Sequence, residues 1–345
     1  MKITVVGAGA IGGVIGAYLI KEGYELTLCD SNEDHVEHIN RKGLQIDGPI
    51  KSFVVSAKAV TPKELLSEKE SIEVLFLCVK AQHTVEALKP LIPLLTKDSI
   101  VVSFQNGLNE LAIAELIGEE RTMGCFVNFS ADYLEPGKIL YGGVASLYLG
   151  ELDGSITSRL ISLQEMVTAW GPVEITNNIW GFLWGKLSYA GLLFATALVD
   201  ETMASVVRNL KYRETLLELC SEILELADKE GVTPLGFDGW RPELIYPRGN
   251  RDNVILNEAF EGLAQLMASN KKSKSGIWRD LAVHKRKTEI DAQLVPLLEI
   301  ARKHHLKMPL TCKLIKQIKE LEDGTRKMSE KNLQELKDQY VLGVI

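Results

Sequence analysis

The chain has 345 residues, is 46% hydrophobic and carries a formal net charge of −7. The length predicts about two domains, each with enough apolar residues to form its own core. The acidic balance argues against nucleic acid or an anionic membrane surface as a partner, because no basic field is present to hold phosphates. The N-terminus lacks signal and transit features, and no stretch approaches the roughly 18 apolar residues of a membrane span. The sequence therefore predicts a cytoplasmic protein.

The cysteine and histidine patterns predict neither disulfides nor a metal site. The five cysteines are scattered, odd in number and without a C-x-x-C spacing: Cys29, Cys78, Cys125, Cys220 and Cys312. This usage is typical of free thiols in a reducing compartment. His304 and His305 are adjacent in a helical pattern, so their side chains would point apart and make a poor pair of metal ligands.

The first thirty residues predict a strand, a glycine turn, a helix and a second strand. Residues 2–6 form a short β-branched run that is typical of a buried parallel strand. The glycine-rich residues 7–13 follow at once, and a small-residue helix is predicted over 14–21. Residues 24–29 are predicted as the next strand, and it ends at Asp30.

This unit predicts a dinucleotide-binding site. Gly7 permits a tight turn, Gly9 lets the backbone approach a pyrophosphate, and Gly12 lets the helix pack closely on its strand. The N–H groups at the helix start, including those of Ala10 and Ile11, would face the phosphates. The alternative is a glycine turn between a core strand and a helix that binds nothing.

The acid at the end of the second strand favours NAD over NADP. A carboxylate at Asp30 can accept hydrogen bonds from both ribose hydroxyls of NAD, and it repels the 2′-phosphate of NADP. Ser31 comes next, and no arginine appears before Arg41. NADP remains the alternative, because a lysine or arginine from another loop could still reach the phosphate.

Strands and helices alternate along the first half of the chain. Strands are predicted at 73–79, 99–104, 122–128, 145–150 and 173–176, helices at 35–42, 84–95 and 157–169, and a hairpin-like pair at 43–48 and 53–55. This alternation predicts a doubly wound parallel sheet, whose ligands lie beyond the carboxyl ends of its strands. Lys80 and Asn106 each follow such a strand.

From about residue 177 the strand signals disappear. Helical patterns take over at 180–199, 212–229, 257–267, 288–304, 310–322 and 331–340. We therefore predict a dinucleotide-binding domain over 1–176 and a helical substrate-binding and catalytic domain over 177–345.

Several motifs in this order resemble the ketopantoate reductase (2-dehydropantoate 2-reductase) family. They are residues 7–12, 79–81, 105–107, 184–187 and 287–291. The resemblance spans nearly the whole chain. It implies an α/β fold: an N-terminal Rossmann-like doubly wound sheet followed by an all-α domain of the 6-phosphogluconate dehydrogenase C-terminal type. It also implies a substrate in the cleft between the two domains.

The resemblance implies NAD(P)H-dependent reduction of an α-keto acid to a 2-hydroxy acid, with ketopantoate and pantoate as the family's pair. Lys186 matches the family's general acid, and Glu289 matches the carboxylate that binds the substrate hydroxyl and helps to fix that lysine. Asn106 matches the asparagine that contacts cofactor and substrate, and Lys80 the lysine near the cofactor phosphate and ribose. Each residue also has a structural alternative. Lys186 could be a snorkelling helix lysine and Glu289 a solvated acid. Asn106 could be a turn residue and Lys80 a surface lysine.

Departures from the family pattern concern the substrate. Ala190 and Phe194 stand where the family usually has asparagines, one and two turns after the catalytic lysine, which suits a more apolar substrate. Ser275 is the best match to the serine that contacts the substrate carboxylate, but the interval from Asp280 to Glu289 is one residue longer than in the usual pattern. Arg279 or the lysine-rich loop 271–274 could bind an anionic substrate instead.

Two further functions stay open at this stage. One is a related dehydrogenase, opine-forming or acting on a 3-hydroxy acid, with a more apolar substrate. The other is a non-catalytic dinucleotide sensor, which the presence of Lys186 and Glu289 argues against. In each case the expected partner is a small molecule, and the protein is expected to be a monomer or homodimer.

Overall fold

The structure is a computed structural model that describes residues 2–269 and 272–344, with side chains up to residue 341. The chain divides into two units, Met1–Ile179 and Trp180–Ile345. Lys271, one of the lysines considered above for an anionic substrate, lies outside the described residues.

The first unit combines strands and helices. The strands described in it are β1 (Ile3–Val6), β2 (Leu26–Cys29), β3 (Leu44–Asp47), β4 (Phe53–Val55), β5 (Lys58–Val60), β6 (Ile72–Leu77), β7 (Leu95–Ser103), β8 (Thr122–Val127), β9 (Ala131–Glu135), β10 (Lys138–Tyr141), β11 (Leu147–Glu151) and β12 (Glu174–Ile175). Its helices are α1 (Ala10–Lys21), α2 (Glu33–Lys42), α3 (Pro62–Glu68), α4 (Thr84–Leu88), α5 (Asn109–Ile117) and α6 (Ser158–Val167).

The larger sheet has the predicted doubly wound parallel core. Its strand order is β5-β2-β1-β6-β7-β8-β11-β12, and neighbouring strands from β5 to β8 are parallel. The expectation of a wholly parallel sheet is wrong at β11, which runs antiparallel to β8. The chain reaches β11 through strands of a second sheet instead of a crossover helix, and such a return permits the antiparallel direction.

The second sheet has four strands in the order β4-β3-β10-β9. The hairpin-like pair at 43–48 and 53–55 is confirmed as β3 and β4, which pair antiparallel. The strands β9 and β10 were not predicted, because their exposed residues alternate only weakly with apolar ones. They complete the sheet, with β10 parallel to β3 and antiparallel to β9.

Helix α1 lies between the two sheets and is apolar on both sides. A Cβ added to Gly16 would lie 2.7 Å from the Cδ2 atom of Leu28 in the larger sheet. A Cβ added to Gly13 would lie 2.2 Å from the Cδ1 atom of Ile139 in the smaller one. The glycines therefore let the helix pack closely against both sheets.

One predicted helix, at 84–95, is shorter than expected. The α-helix α4 ends at Leu88, a 3₁₀ segment covers Lys89–Leu94, and β7 begins at Leu95. Pro90 occupies the start of the 3₁₀ segment and Pro93 lies inside it. Proline has no N–H to donate and clashes with the preceding turn, so the α-helix cannot continue.

The second unit is helical. Its helices are α7 (Ile179–Thr196), α8 (Met203–Arg208), α9 (Arg213–Lys229), α10 (Asn253–Ser269), α11 (Gly276–Ala282), α12 (Ile290–Gln293), α13 (Val295–Lys303), α14 (Pro309–Glu322) and α15 (Glu330–Val344). The single helix predicted over 288–304 is divided at Leu294 into α12 and α13, with a proline in the first turn of α13.

Helix α9 is joined to the start of α14 by a buried carboxylate. The side chain of Glu222 accepts hydrogen bonds from the N–H of Leu310 (2.9 Å) and from the N–H and hydroxyl of Thr311 (2.8 Å each). Burial raises the pKa of Glu222 to about 7, although these donors favour its charged form. The contact satisfies N–H groups that the first turn of α14 would otherwise leave unpaired.

No helix among the described residues is long and apolar enough to span a bilayer.

All five cysteines are free, and three of them are buried: Cys29, Cys125 and Cys220. Burial, with a smaller contribution from Asp30 and Glu64, raises the pKa of the Cys29 thiol to about 12, so this thiol stays protonated near neutral pH.

We predict a pH-dependent contribution to stability from Glu335 in α15. Arg326 and Lys313 donate hydrogen bonds to its carboxylate and lower its pKa to about 2. Because the folded pKa lies below the unfolded one, this contribution is complete above about pH 4.3 and is lost as the pH falls toward 2. Replacing Glu335 with Gln should lower the free energy of unfolding by about 1 kcal/mol at pH 6.

Urea unfolding of both proteins at pH 6 and pH 3 measures this difference. The gap between wild type and Glu335→Gln should shrink at the lower pH. Glu299→Gln, which neutralises an exposed acid on α13, serves as the control and should change little. An equal gap at both pH values would contradict the prediction.

Candidate cofactor and catalytic site

The glycine loop between β1 and α1 packs tightly on its neighbours. Gly7 has a φ of 92°, and a Cβ added to it would lie 2.7 Å from the backbone nitrogen of Val79. The N–H of Gly7 donates to the carbonyl of Cys29 at the end of β2 (2.8 Å). Only glycine combines this backbone conformation with so close an approach, which fixes the loop between the ends of β2 and β6.

Gly9, by contrast, faces open space. A Cβ added to it would meet no heavy atom within 4 Å, its chain neighbours aside. Gly9 is the N-cap of α1, and no side chain in the described chain caps this helix or adds an acid to its first turn. The first N–H groups of α1, on Ala10, Ile11 and Gly12, therefore lack intrahelical acceptors and suit an anionic group.

Asp30 is held at the carboxyl end of β2. Its N–H donates to the carbonyl of Val60 (3.1 Å), and its Oδ1 atom accepts from the N–H of Asn32 (3.0 Å). The side chain is half-buried, whereas Ser31 is exposed. One carboxylate oxygen is thus used to orient the group, and Oδ2 is left for a ligand hydroxyl.

Lys80 and Asn106 follow the strands β6 and β7, and both are half-buried. The order β7-β6-β1-β2 makes these strands neighbours. Parallel strands bring their carboxyl ends to the same edge of a sheet. Asn106, Lys80, the glycine loop and Asp30 therefore form one row along that edge, as the sequence predicts.

A buried network that the sequence did not indicate fixes two of these loops. The side chain of Gln105 donates to the carbonyl of Val79 (2.8 Å) and to the hydroxyl of Thr84 (2.9 Å). Asn109 bonds to Thr84 (2.9 Å) and donates to the backbone carbonyl of Asn106 (2.7 Å). Gln105 follows a predicted strand and lies in the motif at 105–107, but neither signal distinguishes a structural amide from a ligand.

Lys186 lies in the second turn of α7 and is half-buried. Its neighbour Gly185 allows a close approach, because a Cβ there would lie 2.1 Å from the carbonyl oxygen of Leu235. Two residues on, Ser188 is fully buried and accepts a hydrogen bond from the indole of Trp240 (3.0 Å). Ser188 thus supports the helix and leaves its hydroxyl unsuited to binding substrate.

The residues that depart from the family pattern are buried. Ala190 is 8% exposed, and Phe194 is 0% exposed. A ligand in this structure could touch the edge of Ala190, whereas Phe194 offers it no surface. Tyr189 packs against Phe237 and Trp240, and burial raises its pKa to about 12, so its hydroxyl stays neutral.

Glu289 stands immediately before α12 as its N-cap residue. The preceding residue, Thr288, is buried and donates its N–H and hydroxyl to one carboxylate oxygen of Glu322 (2.7 and 2.6 Å). Its hydroxyl also accepts from the N–H of Ile290 (3.2 Å). These bonds fix the backbone on both sides of Glu289, whose side chain is half-buried.

Two of the groups considered for binding a substrate carboxylate, Ser275 and Lys274, have structural partners. Ser275 is 5% exposed, and its hydroxyl accepts from the N–H of Trp278 (3.2 Å) as the N-cap of α11. Lys274 lies 4.1 Å from the ring centroid of Trp278 and forms an ion pair with Asp200. These contacts offset the charge of Lys274. The described residues contain no cluster of three or more side chains that could hold a metal ion.

The sequence matches a known protein family over most of its length. Residues 3–154 match the family described as "Ketopantoate reductase PanE/ApbA", and residues 178–322 match "Ketopantoate reductase PanE/ApbA C terminal". The 2-dehydropantoate 2-reductase of Mesorhizobium japonicum is 30% identical over 265 residues, 69% of this chain and 79% of that protein. The protein of the same name from Pyrococcus horikoshii is 27% identical and covers 90% of this chain and 94% of its own.

Solved structures share the fold. A ketopantoate reductase of the PanE/ApbA family from Ralstonia eutropha superimposes with a TM-score of 0.77, at 23% identity, over 94% of this chain and 99% of that one. A ternary structure of D-mandelate dehydrogenase with NADH and anilino(oxo)acetate gives 0.78 at 22% identity, with the same coverage of both chains. The predicted Rossmann-like sheet followed by a helical domain is confirmed. Because the two family matches together span most of its length, the chain belongs to the ketopantoate reductase family and is an NAD(P)-dependent oxidoreductase acting on a CH–OH group.

Proposed function

We propose that this protein uses NADH to reduce an α-keto acid to a 2-hydroxy acid, with ketopantoate or a close analogue as the substrate. The observation that carries the proposal is the row of Asn106, Lys80, the glycine loop and Asp30 along one edge of the first unit's sheet. Lys186 of the second unit, which matches the family's general acid, supplies the proton.

The residues of the first unit fit a dinucleotide. The open space beside Gly9 and the uncapped N-terminus of α1 leave room and N–H donors for a pyrophosphate. Asp30 offers Oδ2 to the ribose hydroxyls. Lys80, at the next strand end, adds a positive charge on the side of the glycine loop opposite Asp30.

The same geometry favours NADH over NADPH. The carboxylate of Asp30 would lie next to the 2′-phosphate of NADPH and repel it. Ser31 and Asn32 follow on the exposed surface and carry no charge, and Arg41 at the far end of α2 is paired with Glu37 (3.0 Å). NADPH is the alternative cofactor, and its use would require a cation from another part of the chain.

The proposed chemistry assigns one task to each polar residue. A bound dihydronicotinamide would supply a hydride to the keto carbon. Lys186 stabilises the negative charge that grows on the keto oxygen and then donates its proton there. Glu289 accepts a hydrogen bond from the new hydroxyl and keeps Lys186 oriented, while Asn106 donates to the cofactor and substrate.

A substrate more apolar than ketopantoate is the second candidate. The observation in its favour is that Ala190 presents a methyl group where the family usually has an asparagine. Phe194 removes the second amide. In the D-mandelate dehydrogenase structure that shares this fold, the ligand anilino(oxo)acetate carries an aryl group. An α-keto acid with an aliphatic or aryl side chain would suit such a pocket.

The experiment that tests the proposal measures NADH and NADPH oxidation by the purified protein with a panel of keto acids. The panel contains ketopantoate, α-ketoisovalerate, phenylpyruvate and benzoylformate, and pyruvate as a small control. We expect turnover with NADH on ketopantoate or on one of the bulkier acids. Fast turnover of ketopantoate supports the first candidate, and turnover of an aryl or aliphatic acid alone supports the second.

Lys186→Ala is the control that separates an enzyme from a dinucleotide sensor. It should lower kcat by roughly a hundredfold or more while NADH still binds, because the lysine acts on the keto oxygen. Lys303→Ala, which removes an exposed lysine from α13, should leave kcat unchanged. An inactive wild-type protein that binds NADH would contradict catalysis and favour the sensor.

We predict that Gly9→Ala folds normally but binds NADH more weakly. The new methyl group would meet no protein atom, so the free energy of unfolding should change by less than about 1 kcal/mol. The methyl group would instead occupy the space proposed for the pyrophosphate and weaken binding roughly tenfold. NADH fluorescence titration and thermal unfolding measure the two effects. Gly262→Ala on α10, also in open space, is the control, and equal affinities for the two variants would refute the assignment.

We predict that the double variant Asp30→Ala, Ser31→Arg shifts the cofactor preference toward NADPH. It removes the charge that repels the 2′-phosphate and adds one that attracts it. The ratio of kcat/KM for NADH to that for NADPH should fall by roughly a hundredfold. Glu33→Ala, which removes an exposed acid from the first turn of α2, should change the ratio much less. An unchanged ratio in the double variant would show that Asp30 does not contact the ribose.

A further inference from the structure

The turn between β9 and β10 is fastened to the glycine loop by a buried histidine. His35, in the first turn of α2, is 0% exposed. Its Nδ1 atom accepts from the N–H of Gly137 (2.9 Å), and its Nε2 atom lies 2.9 Å from the carbonyl oxygen of Ala8. An amide N–H can only donate and a carbonyl can only accept, so the ring is neutral with its hydrogen on Nε2. This side chain holds the β9–β10 hairpin against the loop that begins α1.

Tyr133 of this hairpin is directed toward the start of α2. It pairs with Ile139, which is fully buried against α1, so both lie on the inner face of the second sheet. The ring of Tyr133 meets that of His35 edge to face, with centroids 5.1 Å apart. Its hydroxyl accepts from the side chain of Asn32 (3.3 Å), and the side chain is 38% exposed. His35 and Asn32 therefore hold the side chain of Tyr133 in place, while part of it remains exposed to solvent.

The same asparagine connects Tyr133 with the acid at the end of β2. The N–H of Asn32 donates to Asp30 (3.0 Å), while its amide nitrogen donates to Tyr133. Desolvation raises the pKa of Tyr133, and the negative charges of Asp30 and Asp34 add to this effect. The phenol of Tyr133 thus stays neutral, and the groups around it carry negative charge.

The strands β9 and β10 carry one lysine, Lys138, and it is already paired. Lys138 lies 3.5 Å from Asp47 and 3.9 Å from Glu135, the glutamate at the end of β9. Its charge is therefore shared between two carboxylates. An incoming phosphate dianion beside Asp30 would gain little from it.

We propose that Tyr133 is a further specificity-determining residue, which together with Asp30 closes the space next to the 2′ position of the cofactor's adenosine ribose and thereby excludes NADPH. This inference rests on the proposed dinucleotide site. A ribose bonded to Asp30 directs its 2′ oxygen toward this carboxylate and its neighbours. A 2′-hydroxyl needs only an acceptor there, whereas a 2′-phosphate needs room and a cation, and Tyr133 supplies neither.

The test exchanges Tyr133 for arginine and compares it with the same exchange at Leu134. Both residues are exposed on β9, but successive side chains on a strand point to opposite faces, so Leu134 faces away. The two variants add the same charge within one residue of each other. Dissociation constants for NADH and NADPH are measured by fluorescence titration without substrate.

Tyr133→Arg should lower the ratio of the NADPH to the NADH dissociation constant by about tenfold, and Leu134→Arg by less than about twofold. Equal effects of the two variants would mean that general charge attraction decides the preference and would overturn the inference. If Tyr133→Arg folds poorly, Tyr133→Ala tests the same point. It should lower the ratio roughly threefold because it opens space without adding charge, and an unchanged ratio overturns the inference.

Failure of the proposed function gives a different result. If wild-type protein binds neither dinucleotide, the assignment of the dinucleotide site is wrong, and the inference about Tyr133 fails with it. If wild type binds NADH tightly and the Tyr133 variants match the Leu134 variant, the dinucleotide site stands and only the role of Tyr133 is refuted.

Discussion

The close packing of α1 between two sheets is the constraint on which the rest of the first unit depends. A Cβ added to Gly12 would lie 2.2 Å from the carbonyl oxygen of Gly7, and one added to Gly13 would strike Ile139 of the second sheet. With apolar contacts on both sides, the helix has no freedom to shift or rotate. The N-terminus of α1 is therefore held at the carboxyl edge of the larger sheet, where its N–H groups can meet an anion.

Because of this constraint, backbone groups and side chains have different roles in the proposed cofactor site. In the proposed function, the helix N-terminus and Gly9 would bind a pyrophosphate, which every nicotinamide dinucleotide has, so they would not distinguish one cofactor from another. In this proposal, discrimination between cofactors would fall to the strand ends on either side, above all to Asp30. In the second unit, the close packing of Gly185 against Leu235 and the hydrogen bonds of Thr288 to Glu322 fix the backbone next to Lys186 and Glu289. The proposed chemistry would therefore rest on a few side chains, each next to a backbone segment that packing or hydrogen bonds hold in place.

The sequence predicts those parts of the fold that depend on local pattern and not those that depend on tertiary pairing. Apolar runs and the glycine turn predict the parallel core and Asp30 at its edge. They do not predict β10, which is stabilised by pairing with β3, or β9, which pairs with β10, or the antiparallel β11. For the same reason Tyr133 was missed, and the capping role of Ser275 and the burial of Phe194 emerge only from the packed structure.

The central claim is that this chain transfers a hydride from NADH to the keto carbon of an α-keto acid. The most direct test incubates the wild-type protein with NADH deuterated at C4 of the transferable face and the best substrate of the panel, and analyses the product by NMR. We predict one deuterium at C2 of the 2-hydroxy acid, and almost none of this product with Lys186→Ala. Product that carries hydrogen from the solvent at C2, or no reduction of any keto acid by protein that binds NADH, would contradict the account.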